Sequence, residues 1–300
     1  MAVYDYAERF ESMIQEKYVE ESKTNFLVHT NPQIRFLNAQ TIKVPNRALG
    51  GYGNHDRGTL GFNSSSIKNS WTPYKLEWDR DLEYFMDPED IDETNLVLSF
   101  ATLQNQVEEE VTIPEKDCYR ISKMYKEAGK VGSTIDTTAL TTANILSIFD
   151  GWMEAMDDKN VKEKRTLLVT PAIRTLLKNA EGIQRTLEAS GKANINRIVH
   201  SLDDVEIKVI SSERMKTLYN DVVGEDGLKH YVAAEGAKQI NMILVESSAI
   251  ICEDKYSYIK VFTPGSDSRA ADSYVYQNRY YGDLFIIPDK KAGVCMNVEA

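Results

Sequence analysis

Nine carboxylates crowd the stretch from Glu77 to Glu93 (Glu77, Asp79, Asp81, Glu83, Asp87, Glu89, Asp90, Asp92 and Glu93), with Arg80 as the single cation among them. Carboxylate pairs carry glycoside hydrolysis and two-metal phosphoryl chemistry, so catalysis would first be sought here. The alternation argues against it. Leu76, Trp78, Arg80, Leu82 and Tyr84 fall on one face of an extended strand, and Glu77, Asp79, Asp81 and Glu83 fall on the other. That is a strand with one covered face and one charged face, turned to solvent or to a basic partner such as the Lys123/Lys126/Lys130 cluster or Lys290–Lys291.

The other reactive residue types point the same way. Cys118, Cys252 and Cys295 are odd in number and widely spaced, with no Cys-x-x-Cys, so buried free thiols are expected rather than a disulfide framework or a zinc site. His29, His55, His200 and His230 lack the i, i+4 spacing of a helical metal site. Gly50-Gly-Tyr-Gly53 is the nearest approach to a phosphate cradle. An extended segment follows it instead of a helix N-terminus, so the dipole and free N–H groups that hold phosphate are missing. Walker-type, Gly-x-Ser-x-Gly, His-Glu-x-x-His and dinucleotide-binding motifs do not occur. Catalytic, cofactor-binding and metal-binding residues are all expected to be none.

The elements that would position such residues read as structural devices. A strand-like run from Phe36 to Val44 leads to a glycine-rich tip, Gly50 to Gly58, and a second extended run returns from Ser70 to Trp78. A long polar hairpin of this kind cannot bury itself on its own chain, which suggests a subunit that touches neighbours. From Leu96 to Gly129, Leu96, Phe100, Leu103, Val107, Val111, Cys118, Ile121, Tyr125 and Ala128 step by helical intervals. About 35 residues at ~1.5 Å each predict a rod of ~50 Å. Pro114 should kink it or let Thr112 cap a second half, and Gly129 should end it.

An amphipathic helix is predicted over residues 3–18, followed by an extended arm from Val19 to Pro32. Another helix is predicted over 138–158, a buried strand at Thr166–Thr170, and a helix capped by Thr170 with Pro171 at its first position. A loop from Glu188 to Asn196 precedes strands at Val205–Ile210, Ile240–Val245, Ala249–Cys252, Tyr258–Phe262 and Tyr274–Ile287. Mixed short strands and helices indicate an α+β class.

The chain has 300 residues, 42% hydrophobic, enough for one elaborate domain or two lobes. No apolar run reaches the roughly 18 residues of a membrane span, and residues 1–10 lack the basic and apolar regions of a signal peptide, so residence in a cytoplasm is expected unless the protein leaves within something larger. A net charge of −11 opposes a nucleic-acid reader, which needs cations to displace phosphate counterions.

Three stretches carry a resemblance to a known family. They are Leu76-Glu-Trp-Asp-Arg-Asp-Leu-Glu-Tyr-Phe-Met-Asp-Pro-Glu-Asp-Ile-Asp-Glu-Thr94, Val111-Thr-Ile-Pro-Glu-Lys-Asp-Cys-Tyr-Arg-Ile-Ser-Lys123, and Tyr258-Ile-Lys-Val-Phe-Thr-Pro-Gly265 with Gln277-Asn-Arg-Tyr-Tyr-Gly-Asp-Leu-Phe285. In this order they resemble tailed-phage major capsid proteins of the HK97 fold, in particular those of siphophages of Gram-positive hosts. The resemblance implies an α+β fold with residues 1–35 as an N-terminal arm, 36–90 as an extended E-loop and 91–135 as the spine helix of a P-domain. Residues 136–237 would form an A-domain, and 238–300 would supply P-domain strands and the C-terminal segment.

It further implies self-assembly into hexamers and pentamers of an icosahedral shell enclosing double-stranded DNA. An acidic or neutral wall would let that DNA slide. No cofactor and no membrane are implied; partners would include a portal, head-completion or decoration proteins and, if one is used, a separate scaffolding protein. The location would be the virion, with the host cytoplasm before assembly. The family's namesake carries a long scaffolding segment that is cut off, whereas about 35 residues precede the first strand here. Its Lys–Asn cross-link finds no identifiable counterpart, although Lys43 and Lys68 lie in the loop region. Two alternatives are an encapsulin-like nanocompartment shell and, more remotely, a carboxylate-dependent hydrolase using the Glu77–Glu93 acids.

Overall fold

Strands β6 (Arg165–Val169) and β11 (Ile240–Glu246) carry the continuous apolar runs Leu167–Val169 and Met242–Val245 and are buried at nearly every position, the signature of strands covered on both faces. A computed structural model accounts for this; it describes residues 22–28, 35–36, 41–55, 62–86, 104–105, 107–162, 164–180, 201–225, 227, 229–266 and 272–300. A six-stranded mixed sheet runs in the order β5 (Thr134–Asp136), β14 (Val294–Val298), β11, β6, β8 (Val205–Val209), β7 (Ser201–Leu202). Leu167, Val169, Met242, Leu244 and Cys295 point to one side, where helices α2 (Ile145–Asp158) and α3 (Pro171–Asn179) cover them with Phe149, Trp152, Met156, Ile173 and Leu177. Leu168, Ile243, Val245, Val294 and Met296 point to the other side, against Ile121, Met124 and Ala128 of α1 (Ile113–Val131). The sheet draws β11 and β14 from residues 238–300 and β6 to β8 from 136–237, so a boundary at 237 passes through it.

A second sheet has β13 (Tyr274–Ile286) between β12 (Ile250–Phe262) and β4 (Trp78–Met86). The expected strands at Ala249–Cys252 and Tyr258–Phe262 are one strand, β12, interrupted by a bulge between Asp254 and Tyr256. Its charged middle, Glu253-Asp-Lys255, hid that continuity from a hydropathy reading. The third sheet is the hairpin of β2 (Thr41–Leu49) and β3 (Ile67–Lys75), with β1 (Arg35–Phe36) beside β2. A small ribbon, β9 (Tyr219–Val223) with β10 (Lys229–Ala233), completes the strands.

Several boundaries differ from the sequence expectations. Thr112 does not cap a second half-helix: it has helical dihedrals and makes no side-chain cap bond. Glu108–Thr112 form a π turn that runs directly into α1, and the Ile113 N–H donates to Glu108 O five residues back. Pro114 follows immediately; it has no N–H to give, and the wider turn accommodates its ring without ending the helix. The helix stops at Gly132, left-handed at φ 71°, and not at Gly129. Helix α2 begins at Ile145 and not at 138, because Thr141 and Asn144 exchange hydrogen bonds that hold a turn before it (Thr141 N–H to Asn144 Oδ1, 2.7 Å). Helix α3 starts as expected, with the Ile173 N–H donating to Thr170 Oγ1 and Pro171 at its start.

β7 and β8 are joined by Asp203 and Asp204, both at positive φ, a two-residue turn that carries no glycine to announce it. Part of the expected arm is docked. Residues 22–28 include a 3₁₀ turn whose Leu27 is fully buried, and Val28 bridges to Cys252. The helix expected over 3–18, the spine from Leu96 to Leu103, and the loop from Glu188 to Asn196 lie outside the described residues.

Candidate assembly surfaces

The acids from Glu77 to Glu83 lie where the alternation puts them. Trp78, Arg80, Leu82 and Tyr84 are half-buried and Asp79, Asp81 and Glu83 exposed along β4. Glu77, Asp79 and Glu83 are each engaged by a different partner. Glu77 meets Lys123 Nζ at 3.4 Å, and that cation lowers its pKa. Asp79 accepts two bonds from Arg279, at 3.0 and 2.7 Å, which lower its pKa in turn. Glu83 accepts from Gln277 at 2.7 Å. A strand spreads side chains along a row, so these acids do not converge as a catalytic pair must. Asp87, Glu89, Asp90, Asp92 and Glu93 lie outside the described residues.

Of the expected basic partners, Lys123 serves Glu77. Lys130 pairs with Glu127 at 2.6 Å and, like Lys126, attracts Glu77 only from a distance, while Lys290 donates to Ser248 O and Oγ. Arg279, which meets the acidic strand directly, lies about two hundred residues away in sequence, in β13 opposite Asp81. Sequence spacing gave no sign of it.

The inner side of the same strand carries what the sequence reading missed. Helix α1 is charged on its buried side: Lys116, Asp117, Arg120, Lys123 and Glu127 are all buried. Asp117 accepts from Ser22 Oγ (2.9 Å), Thr24 Oγ1 (2.6 Å) and Thr24 N–H (3.3 Å), with Arg214 at 3.6 Å. Arg120 donates to Thr24 Oγ1 (3.1 Å) and Asp254 (2.9 Å), with Lys116 3.6 Å from the same carboxylate. Asp283 accepts from Tyr119 OH (2.8 Å), Lys123 (3.3 Å) and Glu77 N–H (3.0 Å). Burial pushes its pKa up.

Glu108, in the π turn, accepts from Asn278 at 3.0 Å, and burial raises its pKa too. Arg80 donates to Glu115 at 2.6 Å and with both terminal nitrogens to Asp221 at 2.7 Å, lying over the Trp78 and Tyr231 rings. A partly open cleft between α1 and this sheet, lined by Trp78, Lys116, Arg120, Asp254 and Asp283 among others, has a volume of about 10 Å³, room for about one water.

Cys118, Cys252 and Cys295 are free and buried, and burial pushes each thiol up to about 11, away from nucleophilic use. His55 packs by Phe62 and His230 lies on β10; His29 and His200 fall outside the described residues. No cluster of metal-ligating side chains occurs among the described residues.

Among the described residues, the hairpin leaves several large apolar side chains uncovered. Its ladder pairs Thr41 with Lys75 through to Leu49 with Ile67, and Gly50 N–H to Ser66 O (3.1 Å) adds one more link. Gly50 lies close to the returning strand: a Cβ there would sit 2.1 Å from Ser65 Oγ and 3.3 Å from Ser66 O, so Ser65 would have to turn aside. At the root, Ile42, Val44 and Tyr74 share one face and pack with Leu76, Ile251 and Phe285. Farther out that face turns polar, with Asn46, Ser70 and Lys68, while the opposite face becomes apolar with Pro45 beside Trp71 and Leu49 beside Ile67. Leu49 and Ile67 are each 72% exposed, and Tyr52 and Phe62 are bare at the tip. The apolar face thus switches sides along the hairpin, inward at its root and outward at its end.

No family model matches the sequence, and no curated protein matches it. Solved structures do share its architecture. A chain from the asymmetric unit of the bacteriophage PhiM1 mature capsid aligns over 86% of this chain and 82% of its own, with a TM-score of 0.59 at 13% identity. The chain has the HK97-like capsid fold. A chain of the Staphylococcus phage Andhra capsid shares it at TM-score 0.54 and 12% identity, covering 93% of this chain and 84% of that one. So does a virus-like particle from Pyrococcus furiosus, at TM-score 0.51 and 9% identity over 97% and 99%.

Proposed function

We propose that the chain is the major capsid protein of a tailed phage, assembling into an icosahedral shell around double-stranded DNA, and that it has no catalytic activity. One observation carries the reading: a hairpin packed on its own body at the root turns a different, apolar face outward at its end, left uncovered among the described residues as a surface made to meet a neighbour would be. The shared fold with phage capsid chains supports the same conclusion.

On this reading residues 1–35 are the arm and 36–90 the E-loop. Residues 91–135 carry the P-domain spine, 136–237 the A-domain, and 238–300 the closing strands, of which β11 and β14 return into the A-domain sheet. The primary partner is the protein itself, in hexamers and pentamers. Scaffolding, portal and head-completion or decoration proteins are further partners, the virion is the destination, and the host cytoplasm holds the subunit beforehand. An encapsulin-like shell is the second reading, favoured by the near-complete mutual coverage with the virus-like particle chain.

Electron microscopy of the expressed protein, alone and with the neighbouring head proteins of its source, tests both. Closed particles are the expected result, and a strictly monomeric protein under both conditions overturns the proposal. Particles that package DNA in the presence of a portal favour the phage reading, and particles that enclose only protein favour the second.

A further inference from the structure

The indole N–H of Trp78 is buried and meets no acceptor among the described residues. Its ring is held by two contacts: it stacks on Tyr119 with centroids 3.7 Å apart, and the Arg80 guanidinium lies 5.0 Å from its centre. Turning the N–H out to solvent would give up both. A buried donor left unpaired is costly, and native folds pair nearly all of them with protein or with ordered water.

The strand register shows what lies beside the indole. Trp78 of β4 pairs with Gly282 of β13, and Gly282 pairs with Asp254 of β12, so the three form one row across the sheet. Members of such a row share a face. Here that face is turned to α1, where Trp78 stacks on Tyr119 and Asp254 accepts from Arg120. The middle member has no side chain, and a Cβ on it would stand 2.9 Å from Asp254 Oδ1. A glycine inside a strand thus leaves a gap between an indole and a carboxylate. The cleft of about 10 Å³ lies here, lined by Trp78 and Gly282 together with Asp254, Asp283, Lys116 and Arg120.

The lining selects the occupant. It offers donors in Trp78, Lys116 and Arg120 and acceptors in Asp254 and Asp283. An anion would face two carboxylates, and a metal ion would face two cationic side chains. A group that both accepts and donates suits the site, and the volume limits it to a single water. We propose that one ordered water is a structural part of this fold, accepting from Trp78 Nε1–H and donating to Asp254 Oδ1. Asp254 binds Arg120 and Lys116 through Oδ2, while Oδ1 is the oxygen beside Gly282. Lys116, 3.6 Å from that carboxylate, is placed to give the water a third bond. The water links the two outer strands of the sheet across the central one, beneath α1. The site belongs to the folded subunit and does not depend on what the subunit assembles into.

A density map of the full chain at about 2 Å or better, from a crystal or from particles, tests the site. The expected result is a peak within about 2.7–3.2 Å of both Trp78 Nε1 and an Asp254 carboxylate oxygen. No peak there, a peak with the contacts of a metal ion or an anion, or an indole N–H that donates directly to a protein acceptor overturns the inference. Trp78→Phe removes the donor and keeps a ring on Tyr119, so in its map the peak should fall to roughly half occupancy or less. A peak of undiminished occupancy in that variant means that the charged groups alone hold the water, and it overturns the role given to Trp78. The map of the unmodified protein decides the site even where the variant does not fold.

Discussion

Asp117 is fully buried, yet it is one of the most heavily bonded side chains in the structure, tying Ser22 and Thr24 of the N-terminal segment and Arg214 of a distant turn to the middle of α1. Removing a carboxylate in this position strands a guanidinium and two hydroxyls. Asp117→Ala should cost about 3–5 kcal/mol in urea unfolding, and Asp117→Asn less, because it still accepts a hydrogen bond. Gly282 is constrained differently: a Cβ there would meet Glu253 O at 2.5 Å, backbone that cannot swing away, so Gly282→Ala should lose about 1–3 kcal/mol in the same assay.

Glu108 makes the stability depend on pH. Burial raises its pKa in the fold, so the folded protein holds that proton more tightly than the unfolded chain. Stability from this group is therefore full below the ordinary carboxylate range and falls as pH rises through the window up to the raised value. Glu108→Gln keeps an acceptor for Asn278 and loses the penalty, so it should unfold at higher temperature at neutral pH and show a flatter pH profile; a lower midpoint at neutral pH refutes this. None of these three positions stood out in the sequence. Helical periodicity counts apolar residues, and a charged residue facing inward is indistinguishable from one facing water until its partners, often a hundred residues off, are known. The buried thiols were legible because small apolar side chains need no partner.

At the scale of elements, alternation was the more reliable guide. It put Trp78, Arg80, Leu82 and Tyr84 on the covered face of β4, whereas the hairpin arms, expected at Phe36–Val44 and Ser70–Trp78, are Thr41–Leu49 and Ile67–Lys75. It did not find β9–β10, whose strands mix Asn, Asp, Lys and His with valine, nor the π turn, for which no residue pattern stands except Pro114 just downstream. Helix ends were legible where a cap bonds as Thr170 does, and misplaced where glycine occurs in mid-helix, as at Gly129.

The ribbon that escaped notice is fastened by Arg80, which forks onto Asp221, reaches Glu115 and lies over two rings. Lysine keeps the charge but has neither fork nor flat face. Arg80→Lys should speed amide exchange across Tyr219–Ala233 by about tenfold or more, the equivalent of ~1.4 kcal/mol of local opening, with little change in the Arg165–Val169 and Ile240–Glu246 strands. Equal acceleration in both places would mean that Arg80 supports the whole fold and not the ribbon.

For the whole molecule, the acidic total hides a division of charge that matters for assembly. The chain is −11 while its hairpin from Thr41 to Lys75 is +4, with Lys43, Arg47, Arg57, Lys68 and Lys75 against Asp56. Within the body the most conspicuous acids are already engaged, Glu77 by Lys123 and Asp79 by Arg279. The acidic strand is thus a weaker docking surface than its composition implies, and Asp79→Lys should act mainly on the local sheet by stranding Arg279. The hairpin cations are the charges available to a neighbour. Each exposed pair they form is worth only about 0–1 kcal/mol, but every subunit in a shell repeats it, and salt screens it over roughly 8–10 Å at moderate ionic strength. Particle yield of the unmodified protein should therefore fall as sodium chloride rises from about 0.05 M to 0.5 M, where the Debye length has shrunk by roughly threefold. Lys43→Glu with Arg47→Glu should do the reverse, assembling poorly at low salt, where like charges repel, and recovering in part as they are screened. Light scattering across the salt series reads both curves, and opposite slopes are the expected signature. If the two proteins lose assembly in parallel, or sulfate and chloride strengthen both alike, then apolar burial alone governs the contact and the division of charge serves only solubility.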